Sequence, residues 1–269
     1  MIRWCAYCQR YQGEVEPFDD YAMTHTICDL CVAQEAFRKQ QPQELESIRR
    51  FFLRVAGIAA DRAPSAAELV AEGAALGLDP VDLLLGIVQP VLHQIGDRWA
   101  RSQVTIAEEH RVTAVCSSVI LSILQAEAIP AAVRRARQPT VLLVSADGND
   151  HTLGIQILEV FLVRNQIPTV TIYPGLPSQE IVSLARSLVP RVVGISAAMP
   201  EQVQAALSVA EGLADLPPAT RPLVVVGGLA LRSGSSLPAG SQLHTCRDLQ
   251  AFLELARSAS SGENQAVVS

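Results

Sequence analysis

The chain reads as an α/β sheet domain preceded by an all-α segment and a short cysteine-bearing start. Three observations predict this. Apolar runs and amphipathic helical stretches alternate from residue 139 to 257, the pattern of a parallel sheet with helices on both faces. Residues 42–130 carry helical periodicity punctuated by cap signals and no convincing strand. Residues 1–35 hold two Cys-x-x-Cys pairs.

The first pair is Cys5 with Cys8 and the second Cys28 with Cys31, with nineteen residues between the inner cysteines. Each pair sets two sulfurs on one tight turn, and two turns complete a tetrahedron, so the spacing predicts a four-thiolate zinc site in a ribbon-like segment. Redox pairs or coincidence are the other readings. A segment this short cannot fold on an apolar core alone, which favours metal. His25, three residues before Cys28, is a spare ligand or a polar loop residue. Glu14, Glu16, Asp19 and Asp20 make the intervening loop acidic, so direct DNA binding by this segment is not expected.

The helical segment begins with residues 43–60, where Leu45, Ile48, Phe52 and Val55 share a face. Ser65 with Glu68 forms a capping-box signature for a helix ending at Gly77. Asp79-Pro80 caps the next, which runs over 81–99 and should kink at Pro90. Thr105 opens a long helix to about Ala128. Short connections predict a four-helix bundle. Trp99 closes the third helix and Glu109-His110 opens the fourth, so the turn between them can bring all three to one end.

Residues 131–139 form an Arg- and Pro-containing linker, with Arg134, Arg135 and Arg137 as the only dense basic cluster. Strands are expected at 140–145, 169–173, 191–196, 222–226 and 242–245, and helices at 152–165, 178–189, 201–214 and 247–257. This gives a five-stranded parallel sheet of flavodoxin-like order. His151 lies on the loop leaving the first of these strands, at the rim where such sheets bind ligands, together with Asn149, Asp150 and Gly154. Ser196 ends the third strand and Gly227-Gly228 the fourth, on the same rim. Cys116 and Cys246 read as core or surface thiols, and residues 258–269 as a disordered tail.

The chain has 269 residues, a formal net charge of -6 and a pI of about 5.4. The acidic balance argues against a dedicated nucleic-acid binder. No apolar run reaches membrane-spanning length and no signal peptide is read at the start, so a cytoplasmic protein without membrane contact is expected.

The loop Asn149-x-His151-x-x-Gly154 resembles the Asp-x-His-x-x-Gly loop of cobalamin (vitamin B12) binding domains. Trp99, nine residues, then Glu109-His110 resembles the helical cap of light-sensing cobalamin proteins of the CarH type; the local match includes Ile95 to Trp99 and Val104 to His110. The two motifs fall in the family's order, and the resemblance covers residues from about 45 to 257. It implies that His151 coordinates cobalt from below. Ser196, Gly227 and Gly228 would line the slot for the dimethylbenzimidazole tail, with Asn149, Asp150 and Gly154 shaping the loop. Trp99, Glu109 and His110 would face the upper side, Trp99 covering the adenosyl group of adenosylcobalamin. Asn149 stands where the family has an acid. Its amide can accept a hydrogen bond from the imidazole but adds no charge, and Asp147 or Asp150 is the alternative partner. Ala100 stands where the photoreceptors have a capturing histidine, leaving His93 and His110 as the other helical-segment histidines.

The resemblance thus implies a cobalamin-dependent light sensor or regulator, in which photolysis of the Co–C bond alters domain packing or assembly, with a homo-oligomer or a regulatory protein as its partner. The alternative is a corrinoid methyl carrier of a methyltransferase system. A second alternative is a zinc-ribbon interaction module whose sheet domain has lost cofactor. A bilin beside the cobalamin, found in some relatives without a DNA-binding domain, is neither implied nor excluded.

Overall fold

The computed structural model describes residues 1–58, 64–127, 138–232, 237, 241–246 and 248–261. Contacts divide the chain into two compact units, Met1–Ala126 and Glu127–Ser269.

The first unit opens with a three-stranded sheet. β1 (Ile2–Cys5) lies between β2 (Tyr11–Glu14), antiparallel to it, and β3 (Met23–Thr26), parallel to it. Two short helices follow, α1 (Asp29–Ala33) and α2 (Ala36–Lys39). His25 sits on β3 opposite Trp4, exposed, and not in a loop.

Four longer helical stretches complete this unit. α3 spans Glu46–Ala56 and buries Ile48, Phe51, Phe52 and Val55. It starts later than residue 43 because Gln43 N–H donates to Ala6 O at 2.6 Å, holding the preceding chain extended against the N-terminal segment. α4 (Ala66–Ala75) begins at the Ser65–Glu68 capping box, whose two reciprocal bonds are both made. α5 (Pro80–Leu83) is capped by Asp79, whose side chain accepts from Val81 N–H at 2.9 Å. It continues through a π-helical turn (Leu84–Val88) into α6 (Gln89–Ala100). The irregularity expected at Pro90 therefore falls in the turn before it. Proline offers no N–H to the ladder, and a wider turn absorbs that loss without breaking the helix. α7 (Ile106–Ala126) starts with Glu108 N–H donating to Thr105 Oγ1 and Thr105 N–H donating to Glu108. Cys116 is buried on α7, and burial pushes its thiol up to about 12.

The second unit is a five-stranded sheet of order β5-β4-β6-β7-β8, all parallel. Its elements are β4 (Val141–Ser145), α8 (Leu153–Arg164), β5 (Thr169–Ile172), α9 (Ser178–Leu188), β6 (Val192–Ser196), α10 (Gln202–Gly212), β7 (Leu223–Gly227), α11 (Leu229–Arg232), β8 (Leu243–Thr245) and α12 (Leu249–Ser261). The apolar runs are buried on both faces, as parallel strands between helical layers require. Leu142, Val144, Val193, Ile195 and Val226 pack with Ile181, Ala185 and Ala206 of α9 and α10. Val141, Leu143, Val192 and Val225 pack on the other face with Ile155, Leu162, Phe252 and Ala256 of α8 and α12.

One expectation changes. The chain was expected to lose order from residue 258, yet α12 runs to Ser261, because Ala259 follows Ala256 on the inner face and is buried. The Arg134, Arg135 and Arg137 cluster and the end of the chain from 262 fall outside the described residues. Among the described residues, no single helix is long and apolar enough to cross a membrane.

Candidate functional site

β4 ends at Ser145, and the loop that follows turns at Gly148, whose φ is +69°. Asn149 at its centre is fully buried. Its Nδ2 donates to Ser196 O at 2.8 Å and its Oδ1 accepts from His151 N–H at 3.0 Å. Its own backbone is held as well: Asn149 N–H donates to Ala146 O, and Gly175 N–H donates to Asn149 O. Of the partners considered for the His151 ring, the Asn149 amide bonds to Ser196 O and His151 N–H. Both ends of the amide are engaged in building the loop, and a residue two positions before an imidazole reaches that residue's backbone more readily than its ring.

His151 is exposed at the rim, as are Asp147, Asp150 and Gly154. Among the described residues, no hydrogen bond or ion pair joins Asp147 or Asp150 to the His151 ring. A Cβ added at Gly148 or Gly154 would meet nothing within 4 Å, so the loop leaves open space around the histidine.

Neighbouring strand ends line up in register. Ser145 stands opposite Ser196, and Ser196 opposite Gly227. Alternation places these three above the sheet face that carries Val141, Leu143 and Val225. Ser145 Oγ is buried with no hydrogen-bond partner among the described residues, a polar atom at that small-residue rim. Gly228 closes the rim at φ +114°, and a Cβ there would fall 2.4 Å from Ala197 O, so only glycine fits.

Two contributors lie outside the motif residues. Gln202, near-fully buried at the start of α10, accepts from Ala198 N–H and Met199 N–H and donates to Gly148 O, joining two rim loops. Ser145 is the second. A polar residue closing an apolar strand, aligned with two small strand ends, is the signal that could have found it; no local signal marks Gln202.

In the first unit, Trp99 ends α6 and is 52% exposed. The turn to α7 is fixed by Ser102 N–H donating to Trp99 O and Gln103 N–H donating to Arg98 O. This sets Trp99 and the first turn of α7 at one end of the unit. There Glu109 accepts from Thr113 Oγ1 at 2.6 Å and lies 2.5 Å from His110 Nδ1, while the His110 side chain is largely exposed. Thr113, one helical turn on, is a further contributor. His93 instead faces the N-terminal sheet, 3.9 Å from Glu14.

The four N-terminal cysteines converge, their sulfurs all within 4.8 Å of one another. Cys8 Sγ and Cys28 Sγ are 3.6 Å apart, and tetrahedral thiolates on zinc stand about 3.8 Å apart. Burial resists ionisation of Cys5. N–H donation from the backbone of Cys8, Cys28 and Tyr7 outweighs it and lowers the thiol to about 6. Burial pushes Cys8 up to about 11, and Cys31 upward too. Four converging sulfurs are a donor set that a divalent cation would complete by displacing protons.

Comparison with known proteins bears on the helical segment. Residues 58–123 match the B12 binding domain family. The match spans the helices that carry Trp99, Glu109 and His110. No curated protein matches the chain. Among solved structures it is similar to the monomethylamine corrinoid protein of Methanosarcina barkeri, at 14% identity and TM-score 0.57, covering 79% of this chain and 96% of that one. It is also similar to the methanol:cobalamin methyltransferase complex MtaBC from Methanosarcina barkeri, at 13% identity and TM-score 0.40, covering 90% and 94%. A third is a cobalamin-binding protein from Desulfitobacterium hafniense DCB-2, at 13% identity and TM-score 0.37, covering 80% and 92%. The first of these likenesses is one of fold.

Proposed function

We propose that this protein binds a corrinoid and carries it for methyl transfer, presenting it to a separate methyltransferase protein. The observation that supports this reading is the exposed His151 on an open, glycine-bearing loop at the carboxyl rim of a parallel sheet, the rim that also carries the buried Ser145 hydroxyl, without a hydrogen-bond partner among the described residues. A neutral imidazole is a suitable cobalt ligand. The match of residues 58–123 and the fold shared with a monomethylamine corrinoid protein support the same class.

In this reading His151 would hold the corrinoid through its imidazole nitrogen, on a loop fixed by Asn149 and Gln202. Ser145, Ser196, Gly227 and Gly228 receive the nucleotide tail. Trp99, half exposed in the first unit, would shield bound corrinoid from water, and Glu109 would orient His110. The corrinoid supplies a reactive Co–C bond, which is its own chemistry. Cys5, Cys8, Cys28 and Cys31 hold one zinc ion that stabilises the N-terminal segment.

A titration of the protein with methylcobalamin and hydroxocobalamin, followed by visible absorbance, tests the reading. Binding with a spectral change is expected. His151→Ala is expected to weaken binding by at least about tenfold, the scale on which even outer partners of metal ligands act. Equal binding and an unchanged spectrum in the variant would place the ligand elsewhere.

A second reading, a light-controlled regulator that uses adenosylcobalamin, is favoured by the half-exposed Trp99 on one side of the α6–α7 turn and Glu109-His110 on the other. Gel filtration of the adenosylcobalamin complex before and after green light separates the two. A change of size or shape supports the regulator; photolysis with no change supports the carrier.

A further inference from the structure

We infer that metal at the Cys5–Cys8–Cys28–Cys31 centre fixes the position of the helix Pro80–Ala100, and with it Trp99. The inference rests on the zinc and Trp99 assignments proposed above.

The N-terminal segment has almost no core of its own. Its buried cluster is Cys5, Cys31 and Ala36, with Tyr7, Ile27 and Cys28 packed against it. The cysteines are thus most of what joins the end of β1 to α1. The other buried side chains of β1 face away from that cluster. Trp4 and Cys5 are neighbours on one strand, so their side chains leave on opposite sides. Cys5 enters the sulfur cluster, and Trp4 enters the helix.

Trp4 is completely buried, and a Cβ added at Gly86 would fall 2.3 Å from its ring. The indole therefore presses on the helix backbone at the π-helical turn. Among the described residues its N–H has no hydrogen-bond partner, so packing holds it. Polar ties extend the contact along one side of the helix. Asp82 accepts from Arg10 Nη1 and Tyr11 N–H, both at 3.0 Å. His93 lies 3.9 Å from Glu14, and Tyr21 donates to Asp97 at 2.6 Å. Arg101, just past the helix end, lies 3.8 Å from Asp19.

Residues 82, 86, 93, 97 and 101 recur at three- to four-residue multiples and define one helix face. Trp99, two residues beyond Asp97, leaves from a different face and is exposed. The helix is thus clamped from Asp82 to Arg101 by strands and loops of the segment that the sulfur cluster joins to α1. Metal at one end and the placement of Trp99 at the other are coupled through a continuous set of contacts, and such coupling is reciprocal.

Hydrogen exchange on the full chain, without corrinoid, tests this. The protein is loaded with one equivalent of zinc, then stripped with a chelator and reloaded. One zinc per chain is expected. Stripping should speed amide exchange at least tenfold over residues 1–39 and 80–101, leave residues 141–227 unchanged, and be reversed by reloading. Cys8→Ser, at the exposed corner of the cluster, should reproduce the stripped pattern. Tyr21→Phe keeps the metal and should loosen only the Asp97–Arg101 end. Failure to bind zinc overturns the inference, as does zinc binding whose removal leaves exchange over 80–101 unchanged. Corrinoid is absent throughout, so these outcomes stand apart from the cobalamin titration.

Discussion

Asn149 Nδ2 donates a 2.8 Å hydrogen bond to the carbonyl oxygen of Ser196, tying the histidine loop after β4 to the end of β6. The opposite end of the same amide accepts from His151 N–H. One side chain thus needs both a donor and an acceptor, and an amide has both while a carboxylate has only acceptors.

An acid at 149 would add charge near His151, but Asn149→Asp would also set a carboxylate oxygen against Ser196 O at a fully buried position. We expect the sheet unit to lose about 1–3 kcal/mol of stability, the scale of an unsatisfied buried polar group. Chemical denaturation followed by far-UV circular dichroism measures it. An unchanged midpoint would show that the loop rebuilds around the acid.

Trp99→Ala removes a ring that is 52% exposed, so little stability should change without cofactor. If the ring covers the upper corrinoid ligand, retention of adenosylcobalamin in the dark should fall. Covering an aromatic side chain of this size contributes on the order of 2–3 kcal/mol. Dialysis of the loaded protein in darkness gives the comparison; equal retention would remove Trp99 from the site.

Asp82 is buried and accepts from Arg10 Nη1 and Tyr11 N–H. Asp82→Ala leaves the Tyr11 N–H without its acceptor. Arg10, half exposed, turns to water or to Asp79, 3.7 Å away. A loss of about 1–3 kcal/mol is expected, read from thermal unfolding of the first unit. A smaller effect would mean that Trp4 packing alone seats the sheet.

Glu159 on α8 is pushed above the usual carboxylate range by burial. Its protonated form is therefore favoured in the folded state. Its contribution to stability is fully present below the unfolded-state value and is lost as pH rises through the folded-state value. Glu159→Gln should match the native protein in acid and exceed it at neutral pH. Melting temperatures at both pH values check this, and a variant less stable at neutral pH would show that the hydrogen bond from the Thr171 side chain outweighs the cost of burial.

Much of this architecture is legible in local chemistry. The Ser65–Glu68 box, the Asp79-Pro80 start and the apolar runs of β4, β6 and β7 act within a few residues, so spacing reveals them. The cysteine pairs and the His151 loop are legible for the same reason: each motif's chemistry is set by short separations. What only the tertiary structure decides are the pairings between distant residues. Nothing near Asn149 says that its amide will meet Ser196, 47 residues away, instead of the imidazole two positions on. Nothing near Trp4 says that its ring will lie on Gly86, or near Gln202 that it will hold Gly148. A buried donor or acceptor takes whichever partner the packed strands and helices bring within about 3 Å. That partner is chosen by strand register and helix packing over the whole unit, which no short stretch of sequence contains.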